Sequence, residues 1–305
     1  MTDVASAIWR LSTLPKLLPW PKSYAVLGFP IAHSLSPAIH QAAFAAIGWP
    51  GGYGRVEVDT AELEPVVHRL KTIGFSGWNC TAPLKQEMFR LCDRRATTAI
   101  RLGAVNTVVH RKGTLEGHNT DGKGWVLAVE EAFSVALPQL RILFLGLGGA
   151  GAAVARQASW EGCPLLRLAN RTASRSLSLA EEIKVRSRVD VVPWEEAALL
   201  RAASDVDLLV SCLTEDPLFL KDRDFLDRLL RPNLFVFDLR YWPPTLPLLE
   251  AARERGAHAS NGLGMLLHQA ALAFELWTGN APPLPVMRKA LFASLSSRDA
   301  EGDSS

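Results

Sequence analysis

The sequence predicts an α/β fold with a parallel sheet, and two observations support this fold class. A short apolar run that follows Arg141 ends in a glycine-rich turn, and good helix formers follow at 152–159. Polar helical stretches then alternate with further strand-like runs at 165–169, 189–192, 206–211 and 234–239. Because parallel neighbours need a long crossover between them, this alternation indicates a parallel sheet covered by helices.

The turn after the first of these strands reads Gly146-Leu147-Gly148-Gly149-Ala150-Gly151, a G-x-G-x-x-G pattern between a strand and a helix. Gly146 permits the tight turn, Gly148 lets a pyrophosphate approach the backbone, and Gly151 lets the helix pack closely on the strand. The helix N-terminus adds N–H groups and a favourable dipole for an anion. We expect a Rossmann-type dinucleotide site here; the alternative is a plain strand-to-helix connection.

The residues after the second strand favour NADP over NAD. They are Asn170, Arg171 and Thr172, with Arg175 just beyond. At this distance from the glycines, NAD-binding proteins carry an acid that binds the ribose 2′-hydroxyl. No acid stands here, and guanidiniums beside small polar side chains suit a 2′-phosphate. The alternative is that both arginines are solvated residues at a helix start.

Composition excludes several classes of protein. The 305 residues carry a formal net charge of +2 with no basic stripe, so nucleic acid is not the expected partner. No segment resembles a spanning helix, and residues 1–21 are too interrupted for a signal peptide, so we expect a loose surface extension there. The tail at 296–305 is polar and expected to be disordered. The cysteines lie far apart with no C-x-x-C pair, which favours reduced thiols in a cytoplasm: Cys80, Cys92, Cys163 and Cys212.

The first strand is predicted at residues 24–29, and a candidate carboxylate-binding site follows it. Ser36 before Pro37 is a common helix opening, with the serine as N-cap and the proline as first residue of a helix through residue 47. Ser34 lies two residues earlier. Two serines beside a helix N-terminus are a plausible site for a carboxylate.

A candidate proton-transfer residue follows a strand near 55–58 and a helix at 60–73. Pro83 ends the next strand and starts a helix, which puts Lys85 in its first turn. The helix dipole disfavours an ammonium there and a nearby carboxylate favours it, so such a lysine can exchange protons. A solvated surface lysine is the commoner case. After a predicted hairpin turn at 111–114, Asp121 either caps a helix or orients Lys85.

The C-terminal part contains polar residues in unusual positions. Tyr241 follows the last predicted strand, and helices are expected at 248–255 and 266–277. Gln269 lies in the second of these, an apolar helix, so its side chain needs a backbone or ligand partner. The histidines show no metal-ligand spacing, and we predict no metal site.

Together these segments resemble the shikimate dehydrogenase family from about residue 24 to residue 290. The matching pieces are GFPIAHSLSP at 28–37, NCTAPLK at 79–85, GAVNT at 103–107, NTD at 119–121, the glycine turn, NRT at 170–172 and GLGMLLHQAA at 262–271. Several motifs in the right order are more specific than any one. The resemblance implies a smaller α/β substrate-binding and catalytic domain (1–121), an inserted Rossmann-type NADP-binding domain (122–261), and helices at 262–295 that complete the substrate domain.

The resemblance also implies an activity and its residues. The activity is reversible, NADPH-dependent reduction of 3-dehydroshikimate to shikimate, in aromatic amino acid biosynthesis, with Lys85 and Asp121 as the catalytic pair. Ser34 and Ser36 would hold the substrate carboxylate. Contacts to the ring and its hydroxyls would come from Asn79, Thr81, Asn106, Tyr241 and Gln269. Further cofactor contacts would come from Leu239, Gly262 and Met265.

One segment departs from the family pattern. Residues 211–217 read Ser-Cys-Leu-Thr-Glu-Asp-Pro where the family usually has Asn-Ala-Thr and then Gly-Met, in a loop that normally borders the nicotinamide side of the cofactor. The alternatives are a paralogue acting on quinate or an amino-substituted analogue, or a non-catalytic ligand sensor. Retention of Lys85 and Asp121 argues against a sensor. We expect a small-molecule substrate, no membrane partner, and a monomer or homodimer.

Overall fold

The computed structural model of the chain describes residues 7–18, 20–243 and 245–302, with side chains described up to residue 296. The strands are β1 (Ile8–Trp9), β2 (Lys22–Gly28), β3 (Gly51–Glu57), β4 (Gly77–Cys80), β5 (Arg94–Arg95), β6 (Thr107–Arg111), β7 (Thr114–His118), β8 (Arg141–Leu145), β9 (Leu165–Ala169), β10 (Arg188–Val192), β11 (Leu208–Ser211), β12 (Phe235–Asp238) and β13 (His258–Asn261). The α-helices are α1 (Ser36–Ala46), α2 (Leu63–Ile73), α3 (Lys85–Leu91), α4 (Thr97–Leu102), α5 (Asp121–Phe133), α6 (Gly149–Glu161), α7 (Ala173–Ile183), α8 (Glu196–Ala203), α9 (Arg223–Leu229), α10 (Pro247–Glu254), α11 (Leu263–Thr278) and α12 (Leu284–Gly302).

The chain divides into two compact units. The discontinuous unit consists of Met1–Thr120 with Gln269–Ser305, and the inserted unit of Asp121–His268. The second boundary therefore falls inside α11. No helix in the described ranges is both long enough and apolar enough to cross a membrane.

The discontinuous unit is built on a mixed sheet with the order β1-β3-β2-β4-β6-β7-β5. β1, β3, β2 and β4 run parallel, and β6 is antiparallel to both β4 and β7. Lys112 and Gly113 join β6 to β7 with φ values of 50° and 79°, as a two-residue turn with positive φ at both positions requires. The predicted hairpin is thus confirmed.

The segment before β2 is not a loose extension, so that expectation was wrong for its described part. β1 pairs with β3, and Trp9 is only 7% exposed. A Cβ on Gly54 would lie 2.5 Å from the Trp9 ring, and one on Gly52 would lie 1.9 Å from the Trp20 ring. Gly52 and Gly54 of β3 therefore make room for two indoles that pack against this strand. Residues 1–6 and 19 lie outside the described ranges.

The predicted disorder of residues 296–305 is wrong for the described residues 296–302, because α12 continues through Gly302. A helix that has already formed can be extended without a new nucleation step, so the polar residues at its end can also be helical. α12 packs against α1 in the discontinuous unit. Residues 303–305 lie outside the described ranges.

The inserted unit has a parallel sheet with the order β10-β9-β8-β11-β12-β13. Counted from β8 within the unit, this order is 3-2-1-4-5-6, that of the Rossmann fold. Alternate residues of β8 enter different cores: Leu143 and Leu145 face one, and Ile142 and Phe144 face the other. Burial on both faces explains why this strand is a continuous apolar run.

The cysteines are free thiols. Burial raises the pKa of Cys92 and of Cys163 to about 12. It also raises the pKa of Cys80 and of Cys212 well above the usual value.

Candidate active site

The glycine turn has a geometry suited to an anionic ligand. Gly146 adopts a φ of +91°, and a Cβ on Gly151 would lie 2.2 Å from the Gly146 carbonyl oxygen. A Cβ on Gly148 or Gly149 would meet no atom within 4 Å beyond its chain neighbours and the backbone of its own helix. The Ala152 N–H donates to the Gly148 carbonyl at 2.9 Å, so the preceding N–H groups of the helix start lie before the intrahelical ladder. The turn can therefore hold a phosphate against exposed backbone.

Asn170, a predicted cofactor residue, makes two hydrogen bonds to the backbone. Its Oδ1 accepts a hydrogen bond from the Leu147 N–H at 2.9 Å, and its Nδ2 donates to the Thr172 carbonyl at 3.0 Å. The amide thus ties the glycine turn to the end of β9. Arg171 and Arg175 are exposed, and neither has an ion-pair partner in the described part of the chain. These two guanidiniums are available to an anion.

The remaining predicted cofactor residues follow β12 and β13 in the inserted unit. The Leu239 N–H donates to the Ser211 carbonyl at 2.9 Å, and the Gly262 N–H donates to the Arg240 carbonyl at 3.0 Å. Leu239 and Met265 pack against the edge of one of the two cores. These residues lie at the carboxyl ends of the strands, where ligands bind in open parallel sheets.

In the discontinuous unit, Asn79 and Asn106 are the centre of a buried polar network. The Tyr53 hydroxyl donates to Asn79 Oδ1 at 2.6 Å, and Asn79 Nδ2 donates to Thr107 Oγ1 at 2.9 Å. Asn106 Oδ1 accepts from the Thr120 N–H at 2.8 Å. Both asparagines are less than 7% exposed, and such a network fixes their side-chain orientations.

Gln269 joins this network from the far end of the chain. Its Oε1 lies 3.5 Å from Asn106 Nδ2, a long hydrogen bond between residues 163 positions apart. The glutamine is 9% exposed. The expectation that a polar side chain in this apolar helix needs a partner is confirmed, and Asn106 is one such partner.

Ser36 is the first residue of α1, and Leu35 rather than Ser36 is its N-cap, so the predicted cap was one residue off. The apolar Leu35 side chain cannot accept a capping hydrogen bond. The Ser36 N–H donates to Ser34 Oγ at 3.4 Å. The two serines are adjacent at the helix start, with Ser36 buried and Ser34 half-buried.

Thr81 and Lys85 follow the carboxyl end of β4. The Thr81 N–H donates to the Leu27 carbonyl at 2.9 Å, and the Lys85 carbonyl accepts from the Val105 N–H at 2.9 Å. Lys85 is the first residue of α3 and is half-buried, so its predicted place in the first turn is confirmed.

Asp121 and Tyr241 belong to the inserted unit. Asp121 is the first residue of α5 and is 9% exposed, so the helix begins three residues before the predicted run at 124–133. Tyr241 is half-buried after β12. No cluster of three or more His, Cys, Asp or Glu side chains suited to a metal occurs among the described residues.

Comparison with known proteins gives the family. Models of the shikimate dehydrogenase substrate binding domain and of the shikimate 5'-dehydrogenase C-terminal domain match residues 26–108 and 262–292. Shikimate dehydrogenase (NADP(+)) of Methanopyrus kandleri is 39% identical over 282 residues, which cover 88% of this chain and 94% of that protein. The chain belongs to the shikimate dehydrogenase family.

Solved structures similar to this chain have the same fold, which confirms the predicted fold class. Shikimate 5-dehydrogenase from Thermus thermophilus, in complex with NADP(H) and shikimate, is 35% identical with a TM-score of 0.78; the match covers 90% of this chain and 99% of that one. Quinate dehydrogenase from Corynebacterium glutamicum, in complex with NAD, is 30% identical with a TM-score of 0.79 and coverage of 89% and 99%.

The sequence did not identify Arg55 and Tyr53 as site residues in this member of the shikimate dehydrogenase family. Both lie beside predicted substrate contacts. Arg55 Nη2 donates to the Ser34 carbonyl at 2.9 Å, which brings a guanidinium to the serine pair. Tyr53 is fully buried, and burial raises its pKa well above the usual value while a hydrogen bond with Ser36 acts in the opposite direction. The alternation of β3 is the only sequence signal for either, and it does not specify a role.

Proposed function

We propose that this protein catalyses the reversible, NADPH-dependent reduction of 3-dehydroshikimate to shikimate. The observation that carries the proposal is the family relationship over 88% of the chain, with a relative named as an NADP(+)-dependent shikimate dehydrogenase. The Thermus thermophilus relative, in complex with both NADP(H) and shikimate, supports the same assignment.

The inserted unit has residues that fit NADP(H). The open backbone at Gly148 and Gly149 suits the pyrophosphate, and the exposed Arg171 and Arg175 suit the 2′-phosphate. Asn170 contributes indirectly, because its amide holds the turn. When bound, the cofactor supplies the hydride.

The discontinuous unit has residues that fit a hydroxylated ring with a carboxylate. In the proposal, Ser34 and Ser36 bind the carboxylate. The ring hydroxyls are bound by Asn79, Thr81, Asn106 and Gln269, with Tyr241 from the inserted unit. The network around Asn79 and Asn106 holds these amides in place before substrate arrives, which reduces the reorganisation needed on binding.

Proton transfer is assigned to Lys85, with Asp121 as its catalytic partner. Reduction of a ketone needs a proton at the carbonyl oxygen, and the reverse reaction needs a base at the hydroxyl. The half-buried position of Lys85 at the start of α3 supports this role. Asp121 is a carboxylate that can orient the ammonium and balance its charge.

Lys85→Ala tests the assignment. Because general acid–base groups typically contribute about 10²–10⁴ in rate, we expect kcat to fall by about that factor while shikimate still binds with similar Kd. Lys112→Ala, at the exposed tip of the β6–β7 hairpin, is the matched control and should retain kcat. Retained kcat in Lys85→Ala would remove this lysine from the mechanism.

Arg171→Ala tests the cofactor assignment. Losing one charge-assisted hydrogen bond to a phosphate should raise the KM for NADPH about tenfold and leave that for NADH nearly unchanged. Arg201→Ala removes an exposed arginine of α8 and serves as the control. An unchanged NADPH preference in Arg171→Ala would contradict the 2′-phosphate site.

Quinate is the second candidate substrate, because the Corynebacterium glutamicum quinate dehydrogenase covers 89% of this chain at 30% identity and was solved with NAD. An absorbance assay of nicotinamide reduction, with shikimate or quinate and NADP or NAD in all four combinations, separates the two. We expect the highest kcat/KM with shikimate and NADP. Higher kcat/KM with quinate would reassign the enzyme.

The cellular location and the oligomeric state are also part of the proposed function. A cytoplasmic location is supported by the free thiols, which persist in reducing compartments. We propose a monomer or a homodimer that takes a small-molecule substrate.

A further inference from the structure

A shielded cluster of charges lies after β12 in the inserted unit. Arg240 Nη2 donates to Asp238 Oδ2 at 2.7 Å and to Asp216 Oδ1 at 2.7 Å, and Arg240 Nε donates to Asp238 Oδ1 at 3.1 Å. The exposed fractions of the three side chains are 16% for Arg240, 7% for Asp216 and 0% for Asp238. Charges so shielded from water need good geometry to offset their lost hydration, and this cluster has it.

The cluster connects segments that follow three neighbouring strands. Asp216 lies in the loop after β11, Asp238 ends β12, and the Arg240 carbonyl accepts from the Gly262 N–H after β13 at 3.0 Å. Arg240 therefore holds together the carboxyl-end edge of β11, β12 and β13.

The loop of residues 212–217, named here the β11 loop, is held at its other end by the glycine turn. A Cβ on Gly146 would lie 2.8 Å from the Leu213 side chain and 3.2 Å from the Cys212 carbonyl oxygen. The start of the loop thus packs on the turn that fits the pyrophosphate, and its end is bound to Arg240 through Asp216. Contacts therefore hold both ends of the loop, and Thr214 and Glu215 between them are exposed.

The position of the loop relates it to one half of a dinucleotide. In this strand order the glycine turn and the first three strands form one mononucleotide-binding half, and β11 to β13 form the second. Arg171 and Arg175, which suit the 2′-phosphate, lie on the first half. The second half is left for the nicotinamide end.

We propose that Asp216 and Arg240 are a positioning pair that fixes the β11 loop for the nicotinamide half of NADP(H). The inference rests on the proposed function, because it takes NADP(H) as the ligand. The pair does not need to touch the cofactor. It keeps the loop in a bound-like conformation, so that binding does not have to order it.

Asp216→Ala is the test, because it frees the loop while leaving the fully buried Asp238 paired with Arg240. The matched control is Asp207→Ala, which removes the partner of Arg141 in another ion pair of the same unit, with hydrogen bonds at 2.8 and 2.9 Å. Binding is measured by fluorescence titration with NADPH and by calorimetry with adenosine 2′,5′-bisphosphate, which carries the adenosine half only. Hydrogen exchange of the ligand-free proteins reports the β11 loop directly.

We expect Asp216→Ala to raise the Kd for NADPH about tenfold, the effect of losing one charge-assisted hydrogen bond, and to leave the Kd for the bisphosphate within about twofold. Exchange should accelerate in the β11 loop and not at residues 170–175. Asp207→Ala should change neither Kd. If Asp216→Ala does not fold, Asp216→Asn, whose amide oxygen can still accept from Arg240, should give a smaller rise of about threefold.

Two results would overturn the inference: an unchanged Kd for NADPH in Asp216→Ala and Asp216→Asn, or equal weakening of NADPH and bisphosphate. The first would mean that the loop is irrelevant to binding, and the second that the pair only stabilises the unit as a whole. Failure of the wild-type protein to bind NADPH would instead overturn the proposed function, and this inference with it.

Discussion

His40 should make the free energy of unfolding depend on pH, and the substitution His40→Phe should remove this dependence. The ring is fully buried, it stacks on Tyr53 at 4.5 Å between centroids, and Trp277 lies 5.1 Å away. Neither ring nitrogen has a hydrogen-bond partner among the described residues. Because burial disfavours the charged ring, the pKa of His40 is lowered from 6.5 to about 3.

The sign and size of the effect follow from linkage. The unfolded chain binds a proton at His40 as the pH falls below about 6.5, and the folded chain does not until about pH 3. The free energy of unfolding therefore decreases as the pH is lowered through this window. At about 1.4 kcal/mol per pH unit, His40 should remove about 2 kcal/mol of unfolding free energy between pH 7 and pH 5. Above pH 7 its contribution is constant.

His40→Phe keeps an aromatic ring against Tyr53 and removes both nitrogens. We expect the variant to be at least as stable as the wild type at pH 7 and about 2 kcal/mol more stable relative to it at pH 5. Urea unfolding followed by tryptophan fluorescence at the two pH values measures the difference. Burial also lowers the pKa of His118, but that residue is present in both proteins and cancels. Parallel loss of stability in the two proteins would refute the reasoning.

Two further predictions concern packing. Trp9→Ala should lower the free energy of unfolding by about 3 kcal/mol, whereas Leu17→Ala at an 86% exposed position should change it by less than about 0.5 kcal/mol; equal effects in urea unfolding would mean that β1 is not part of the folded sheet. Gly151→Ala should lower both the melting temperature and NADPH affinity, because the new Cβ would lie 2.2 Å from the Gly146 carbonyl oxygen. Gly149→Ala should retain the melting temperature, because its Cβ would meet no atom within 4 Å beyond its chain neighbours and the backbone of its own helix. A Gly151→Ala protein that melts with the wild type would contradict the close approach of helix and strand.

The fold was predictable where the signal was local. The strand, turn and helix around Gly146 carry their own pattern of apolar residues and glycines, and the predicted strand at 165–169 agrees with β9 to the residue. β13 was missed because its four residues, His258–Asn261, are partly exposed at the sheet edge and mostly polar, so no hydrophobic alternation marks them. β1 was missed for a different reason. The fit of its Trp9 side chain depends on Gly54, which lies more than forty positions away in the chain.

The site was predictable in its residues and less so in their contacts. Gln269 could be recognised as needing a partner, but that Asn106 lies opposite it depends on how β6 and α11 pack. Asn170 was predicted at the cofactor site, but its hydrogen bonds to the Leu147 N–H and the Thr172 carbonyl could not be predicted from the sequence. Short polar side chains bond to nearby backbone as readily as to ligands, and sequence alone does not distinguish the two.

The thiols give each unit its own reporter of local opening. Cys92 lies in the discontinuous unit and Cys163 in the inserted unit, and both are buried with pKa raised to about 12. Since alkylating reagents attack the thiolate, a closed unit should stay unlabelled at neutral pH and react only while it is transiently unfolded. Mass spectrometry of the two cysteine peptides over time would then compare how often each unit opens. Repeating the labelling with shikimate alone or NADPH alone would show which unit each ligand stabilises.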